Sequence, residues 1–328
     1  CSMRRSLIEL RLQVKKITGY SELQRVCNIN LLLTSLTMTR YTAITFAPVQ
    51  GFIEKSRKLR DLYGSSFILS FLAKTICNYA ASQPDVQVIV PALVNFTKGV
   101  PNNIYLRGTI DEQSLRQVFD RAWKALVDTC RQYIEQEYQG YSRESNYKAL
   151  PWKRDWDSWA NHTWELFIVC GEEDESLDKV RERMSDRKQS RDWIGINWRG
   201  ESSTLSGADG IAYPNMATYH PKSSPNADAE IKEFYKFLSD WLPESSVEST
   251  ECLSIPELIK RLIVYDRFRE RFNSNFQELE NYKYLAKIEK SESFVELNRW
   301  EDARWTGWFQ GDGDRMGEYI ASLTLGTA

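Results

Sequence analysis

Near one end the sequence runs Gly311-Asp312-Gly313-Asp314-Arg315-Met316-Gly317, directly after the run Trp305 to Gln310. Asp312 and Asp314 are the best catalytic candidates in the chain. An Asp-Gly-Asp turn at a strand end sets a carboxylate beside a flexible backbone carbonyl. Hard cations such as Mg²⁺ take oxygen ligands, often one or two carboxylates together with substrate phosphates. In a two-metal nucleotidyl transfer such a group holds the ions that activate the attacking hydroxyl and steady the leaving phosphate. The same residues also suit an acidic β-turn, with Gly313 and Gly317 supplying the unusual dihedrals.

A second stretch, Ala47 to Ser66, contains Pro48-Val49-Gln50-Gly51-Phe52-Ile53 and then Arg57-Lys58-Leu59-Arg60-Asp61-Leu62, with Gly64-Ser65 behind it. It follows a β-rich run and opens a long amphipathic segment. A tight strand-to-helix turn leaves free backbone N–H groups at the helix start, where an anion can sit.

Several elements must carry these residues. Tyr41 to Phe46 is β-branched and aromatic, and Pro48 stops it, so a strand is expected. Gln50 to Ala81 has apolar residues at three- and four-residue steps and is expected as one helix. Gly64 would bend it or admit a close ligand or backbone. Val86 to Val90 is a buried-strand candidate, Gly99 to Asn103 a turn, and Ile104 to Arg107 a strand. Asp111 caps a helix to about Tyr138, and Trp164 to Cys170 is a further strand. The order β-α-β-β-α-β predicts an α+β, ferredoxin-like domain over 39–170, of the kind found in palm domains. RNA-recognition modules share that order but need exposed aromatics on the central strands, and neither Tyr41 to Phe46 nor Ile104 to Arg107 shows the pattern. Trp152, Trp156 and Trp159 have helical spacing and read as core packing rather than as a base-stacking platform. Residues 171–189 are charged, read as loop and surface helix. Residues 191–228 are rich in Gly, Ser, Asn and Pro, and 229–242, 254–272 and 274–298 carry helical spacing. Residues 171–300 are thus expected to be a mostly helical insert.

Taken as worded patterns, the two stretches resemble the large subunit of type III-B (Cmr) CRISPR effector complexes. Pro48 to Ile53, Arg57 to Leu62 and Gly64-Ser65 match the family's first palm domain, Gly99-Val100-Pro101-Asn102 a further segment of it, and Gly311 to Gly317 the first strand of its second palm, so that 301–328 would begin that domain. The resemblance covers about residues 39–320. It implies an RNA-guided antiviral complex that converts ATP to cyclic oligoadenylates once target RNA binds. It also implies a Mg²⁺ or Mn²⁺ ion on Asp312 and the Gly313 carbonyl, and a nucleotide near Arg57, Arg60, Ser65 and Gly313. A charged helix face in water would explain the basic residues equally well. The implied partners are the other Cmr subunits, guide and target RNA, and ATP, in the cytoplasm and away from membranes.

Three departures from the pattern limit what this chain should do. No Gly-Gly-Asp-Asp occurs to complete the metal site, so the chain as given should not make cyclic oligoadenylates, and a truncated subunit is expected. The two histidines, His162 and His220, do not precede an Asp, so an HD nuclease is not supported. Where the family often carries Cys-x-x-Cys, Gly200 to Gly207 places Ser203 and Ser206, and hydroxyls are poor zinc ligands, so no structural zinc is expected. A palm-like module without catalysis, serving as structure in a ribonucleoprotein, is the alternative. A stand-alone nucleotide cyclase would need a complete metal site in one chain.

The totals agree with this reading. A chain of 328 residues with net charge −2 holds two domains, or one and a half with insertions, and does not advertise nucleic acid globally. No apolar run spans a bilayer. The stretch Ile29 to Leu36 is too short. Residues 1–38 form a basic extension with Arg4, Arg5, Arg11, Lys15, Lys16 and Arg25 against Glu9 and Glu22, expected as a solvated face or leader outside the fold. The six scattered cysteines form no Cys-x-x-Cys pair and read as reduced thiols, mostly core.

Overall fold

In a computed structural model the described residues are 39–94, 99–141, 149–191, 198, 200–216, 227–242, 247–265, 267, 268, 271 and 272. The chain divides into two units, Cys1–Thr39 and Arg40–Ala328, and the second holds every described element.

Strand β1 (Tyr41–Ala47) is buried along almost its whole length, because it lies inside a sheet covered on both faces. It leads through Pro48 into the short helix α1 (Val49–Glu54) and then into α2 (Leu59–Ala81). Strands β2 (Gln87–Val90) and β3 (Ile104–Arg107) come next, then α3 (Glu112–Tyr141), α4 (Ala149–Asn161) and β4 (Glu165–Cys170). These four strands form one antiparallel sheet in the order β2-β3-β1-β4. Ala43 stands between Tyr105 and Val169, and Ile44 between Ile104 and Ile168. The observed class is therefore α+β. The two helix-containing crossovers interleave, each joining strands that flank a third.

The strand alternation sorts the core into two layers. Ile44, Phe46, Ile104, Leu106, Leu166 and Ile168 face α2, α3 and α4. Phe46 packs its ring on Phe119 at 5.4 Å and on Trp164 at 5.5 Å. Trp152, Trp156 and Trp159 on α4 are all buried in this layer, as expected for packing residues. On the opposite face Ala43, Phe167 and Val169 lie under α5 (Leu177–Gln189), which contributes Val180 and Met184. Ser176 caps α5 by accepting the Lys179 N–H, and Arg187 and Lys188 sit favourably at its carboxyl end. This helix keeps most of its residues in solvent, as a surface helix should, and buries only Leu177, Val180 and Met184.

The single helix expected from Gln50 to Ala81 is two. The break falls at Lys55 to Lys58, where Ser56 is the one residue that does not favour helix, and tertiary contacts set it. Asp61 accepts the backbone N–H of Lys58 at 3.0 Å and of Arg57 at 3.3 Å, which caps α2 and forbids those amides from continuing α1. Gly64 of α2 admits the backbone of α7 (Ile255–Ile263), the last described helix with an assigned span. Helix α6 (Ala227–Trp241) precedes it and ties down its entry: Tyr235 donates its hydroxyl to the carbonyls of Ala212 and Leu253. None of the described helices is long and apolar enough to cross a membrane.

Candidate functional site

All nine residues of α7 are buried, although three of them, Glu257, Lys260 and Arg261, are charged. Lys, Glu and Arg are almost never fully buried unless paired. Each of the three therefore reveals a partner, and those of Lys260 and Arg261 bring the helix onto the stretch Phe52 to Ser65.

Arg261 sets its Nε 2.5 Å from Asp61 Oδ1 and its Nη1 2.9 Å from Glu251 Oε2. Both Asp61 and the guanidinium are fully enclosed. Glu251 also takes Lys58 Nζ at 2.8 Å and the Glu248 N–H at 3.0 Å. Burial alone would push the Glu251 carboxyl up, but the hydrogen bonds from Arg261, Lys58 and the backbone outweigh it and hold it below the usual value.

Lys260 donates to the Phe52 carbonyl at 2.6 Å and to Ser56 Oγ at 3.2 Å, with its ammonium 4.4 Å from the centre of the Phe52 ring. Burial draws its pKa down to about 8, against the pull of Asp61 and Glu257 in the other direction. Glu257 accepts the Ser203 hydroxyl at 2.5 Å and the Ser254 N–H at 2.7 Å, so it caps its own helix and anchors the turn 202–211 at once. Ser203 in turn accepts the N–H of Leu205 at 3.1 Å and of Ser206 at 3.4 Å. At the position read as a replaced thiolate, the hydroxyl is thus the centre of a buried hydrogen-bonded turn. Ser203→Ala should cost about 1–3 kcal/mol, because it strips a buried carboxylate and two amides of a partner, and urea unfolding measures it. A change under about 0.5 kcal/mol would remove Ser203 from this role.

The residues singled out from the sequence divide between surface and interior. Arg57 is exposed, in the link between α1 and α2, and donates to the Glu54 carbonyl at 3.1 Å. Arg60 is half-buried in the first turn of α2. Ser65 is fully buried, donating to the Asp61 carbonyl at 2.7 Å and lying 3.1 Å from Ser56 Oγ. Its hydroxyl therefore faces the protein interior. Asp312, Gly313 and Asp314 lie outside the described residues, as does His220. His162 is exposed, with Nδ1 2.8 Å from the Ser158 carbonyl. Among the described residues no group of three or more His, Cys, Asp or Glu is placed to hold a metal ion. The segment Gly99 to Asn102 is docked at the end of β1: Asn102 donates to Thr45 Oγ1 at 3.2 Å, and the Val100 N–H donates to the buried Ser70 at 3.0 Å.

Sequence reasoning missed Lys260, Arg261 and Glu251. A signal was present, since Ile255-Pro256-Glu257-Leu258-Ile259-Lys260-Arg261-Leu262-Ile263 surrounds its charges with apolar residues on every side.

Residues 41–146 match the family model described as CRISPR-associated protein Cmr2, N-terminal. The matched span runs from β1 into α3 and past it, so the motif stretch and the α1–α2 link both lie within it. Over that span, about a third of the chain, the resemblance to the type III-B large subunit holds. No curated protein matches. Among solved structures, the chain is similar to a chain of a type III-B Cmr-beta complex in its apo state. The identity there is 17%, over 74% of this chain and 33% of that one, with a TM-score of 0.41. It is also similar to a chain of a type III-B Cmr-beta complex bound to cognate target RNA, with 14% identity over 76% of this chain and 35% of that one, and a TM-score of 0.41. The chain thus spans about a third of the length of either.

Proposed function

We propose that this chain serves as the first palm-like part of the large subunit of a type III-B RNA-guided defence complex, with the other Cmr subunits, guide RNA and target RNA as partners. The observation that carries the reading is the Cmr2 N-terminal match over residues 41–146, a span that holds three of the four strands of the antiparallel sheet. On this reading ATP binds against the α1–α2 link, with Arg57 and Arg60 as its phosphate partners. Ser65, being enclosed, supports the link from beneath and does not touch the nucleotide. Asp312 and Asp314, with the Gly313 carbonyl, offer the oxygen donors that suit Mg²⁺ or Mn²⁺, and such an ion would activate a hydroxyl toward an ATP phosphate. The donor set is incomplete without a second carboxylate-bearing strand, so conversion of ATP to cyclic oligoadenylates belongs to a complete site and not to this chain by itself.

The alternative, a catalytically inactive structural module of the same assembly, is favoured by one observation: Asp61, Gly64 and Ser65 of the motif are all engaged in holding α7 or the link beside it. Co-expression of the tagged chain with the subunits encoded beside it and a guide RNA tests both. Co-elution of those subunits and of guide RNA, with ATP bound in the presence of Mg²⁺, is the expected result. Co-elution without ATP binding decides for the structural module. A chain that elutes alone, without subunits or RNA, overturns the assignment to the complex.

A further inference from the structure

We infer that Lys260 is a positioning residue for the basic link Lys55–Lys58, holding from α7 the main chain that presents Arg57. The inference rests on the reading that this link binds the phosphates of ATP, and it adds the device that fixes the link.

The geometry is specific. Lys260 is fully buried, and among the described residues its ammonium contacts one short piece of chain: the Phe52 carbonyl, the Ser56 hydroxyl and the Phe52 ring. At the end of a helix the last carbonyls lack an intrahelical partner. Here the Ser56 N–H turns to Ile53 O at 2.9 Å, and the Phe52 carbonyl receives the ammonium of Lys260 instead. A lysine contributed by the same helix commonly fills this role. This one comes from more than two hundred residues along the chain. The far end of the link is fixed independently, by Asp61 accepting the Arg57 and Lys58 amides. Between these two anchors the main chain has little freedom, while the Arg57 side chain faces solvent.

The charged groups facing the Lys260 ammonium are Asp61 from α2, Glu257 from its own helix, Asp209 from the turn 202–211 and Lys55 from the link. Arg261 beside it is bonded to Asp61 and Glu251. Lys55 is drawn away to Asp209, 2.9 Å from Nζ. With its pKa lowered to about 8, the amine loses its proton as the pH rises through that value. It then loses the attraction to the Phe52 ring and one of its hydrogens. Burial is less costly once the proton is gone, and the neutral amine keeps two N–H donors for the Phe52 carbonyl and Ser56, so the anchor persists above that pH.

The test is equilibrium binding of ATP with Mg²⁺ to the full chain, at pH 7 and pH 9, for the parent, Arg57→Ala and Lys260→Met, with thermal melts to verify folding. Arg57→Ala should weaken binding about tenfold at both pH values, the scale of one charge-assisted hydrogen bond. Lys260→Met should weaken it roughly three- to tenfold at both pH values, and by much less in an Arg57→Ala background, as a residue acting through Arg57 must. If Arg57→Ala binds ATP as the parent does, the nucleotide reading of the link is wrong and the inference goes with it. If Arg57→Ala weakens binding but a folded Lys260→Met matches the parent in affinity, or weakens binding as much without Arg57 as with it, the inference alone is overturned. Should Lys260→Met not fold, Ser56→Ala decides. It removes one acceptor of the amine from a half-buried site and should weaken ATP binding about threefold. Parent-like binding by Ser56→Ala overturns the inference.

Discussion

Gly64→Ala is expected to separate α2 from α7 and to lower stability by at least about 3 kcal/mol, beyond the usual cost of an added methyl in a core. A Cβ at position 64 would lie 2.1 Å from the Lys260 carbonyl oxygen, 2.8 Å from its carbon and 2.9 Å from its Cα. All three are backbone atoms of a helix buried on every side, so no rotamer change relieves the clash. In an exposed helix interior the same substitution would stabilise by about 1 kcal/mol, and the expected sign is therefore opposite to that of propensity. Denaturant unfolding of the full chain should show a lower midpoint, and the melting temperature should fall by on the order of 10 °C. Gly51→Ala is the control. Its Cβ would meet only the Pro48 side chain at 3.7 Å, an ordinary contact, and it should be neutral or slightly stabilising. Equal effects at the two glycines would show that α2 and α7 do not meet at Gly64.

The contrast between these glycines bears on what could be read from the sequence. The four strands of the sheet were legible within a residue of their bounds, because β-branched and aromatic runs closed by Pro or Gly leave little choice. Gly64 was legible as a point of bending or close approach, and the close approach is what the fold uses. Its partner was not legible, since nothing in α2 names a helix two hundred residues away. The break at Lys55 to Lys58 was hidden for the same reason. Lys and Arg favour helix, and the break is set by Asp61 and by Lys260, one local and one remote. Helix α5 read as surface, and so it is: only Leu177, Val180 and Met184 face inward, a narrow stripe that suffices to cover the small Ala43 of β1. In the motif itself, word resemblance placed Arg57 through Ser65 correctly in the family but could not divide their labour. Burial does: Arg57 faces solvent, while Asp61 and Ser65 face α7 and the link.

Arg261→Ala should be the most damaging single loss of charge, at about 3–5 kcal/mol, because it leaves buried Asp61 facing no guanidinium and deprives Glu251 of one of its two cations. The desolvation of those carboxylates was already incurred in folding, so removing their partner exposes its full cost. Replacing the group as a unit, with Asp61→Leu, Glu251→Leu and Arg261→Met together, should recover a large part of the loss, since an apolar set of similar volume is often as stable as a buried ion cluster. Asp61 also caps α2, so about 1 kcal/mol should stay lost even then. Acid unfolding supplies an independent reading. The folded Glu251 carboxyl titrates below its ordinary value of 4.5, so the stability it contributes is complete above that pH and is lost as the pH falls through the lower, folded value. With Arg261 gone, the strongest of the side-chain hydrogen bonds that lower this pKa is gone too, and the acid limb of the stability profile should become shallower. A variant that lost less than about 1 kcal/mol and kept the parent's acid limb would mean that Arg261 does not hold Asp61 and Glu251 together in solution.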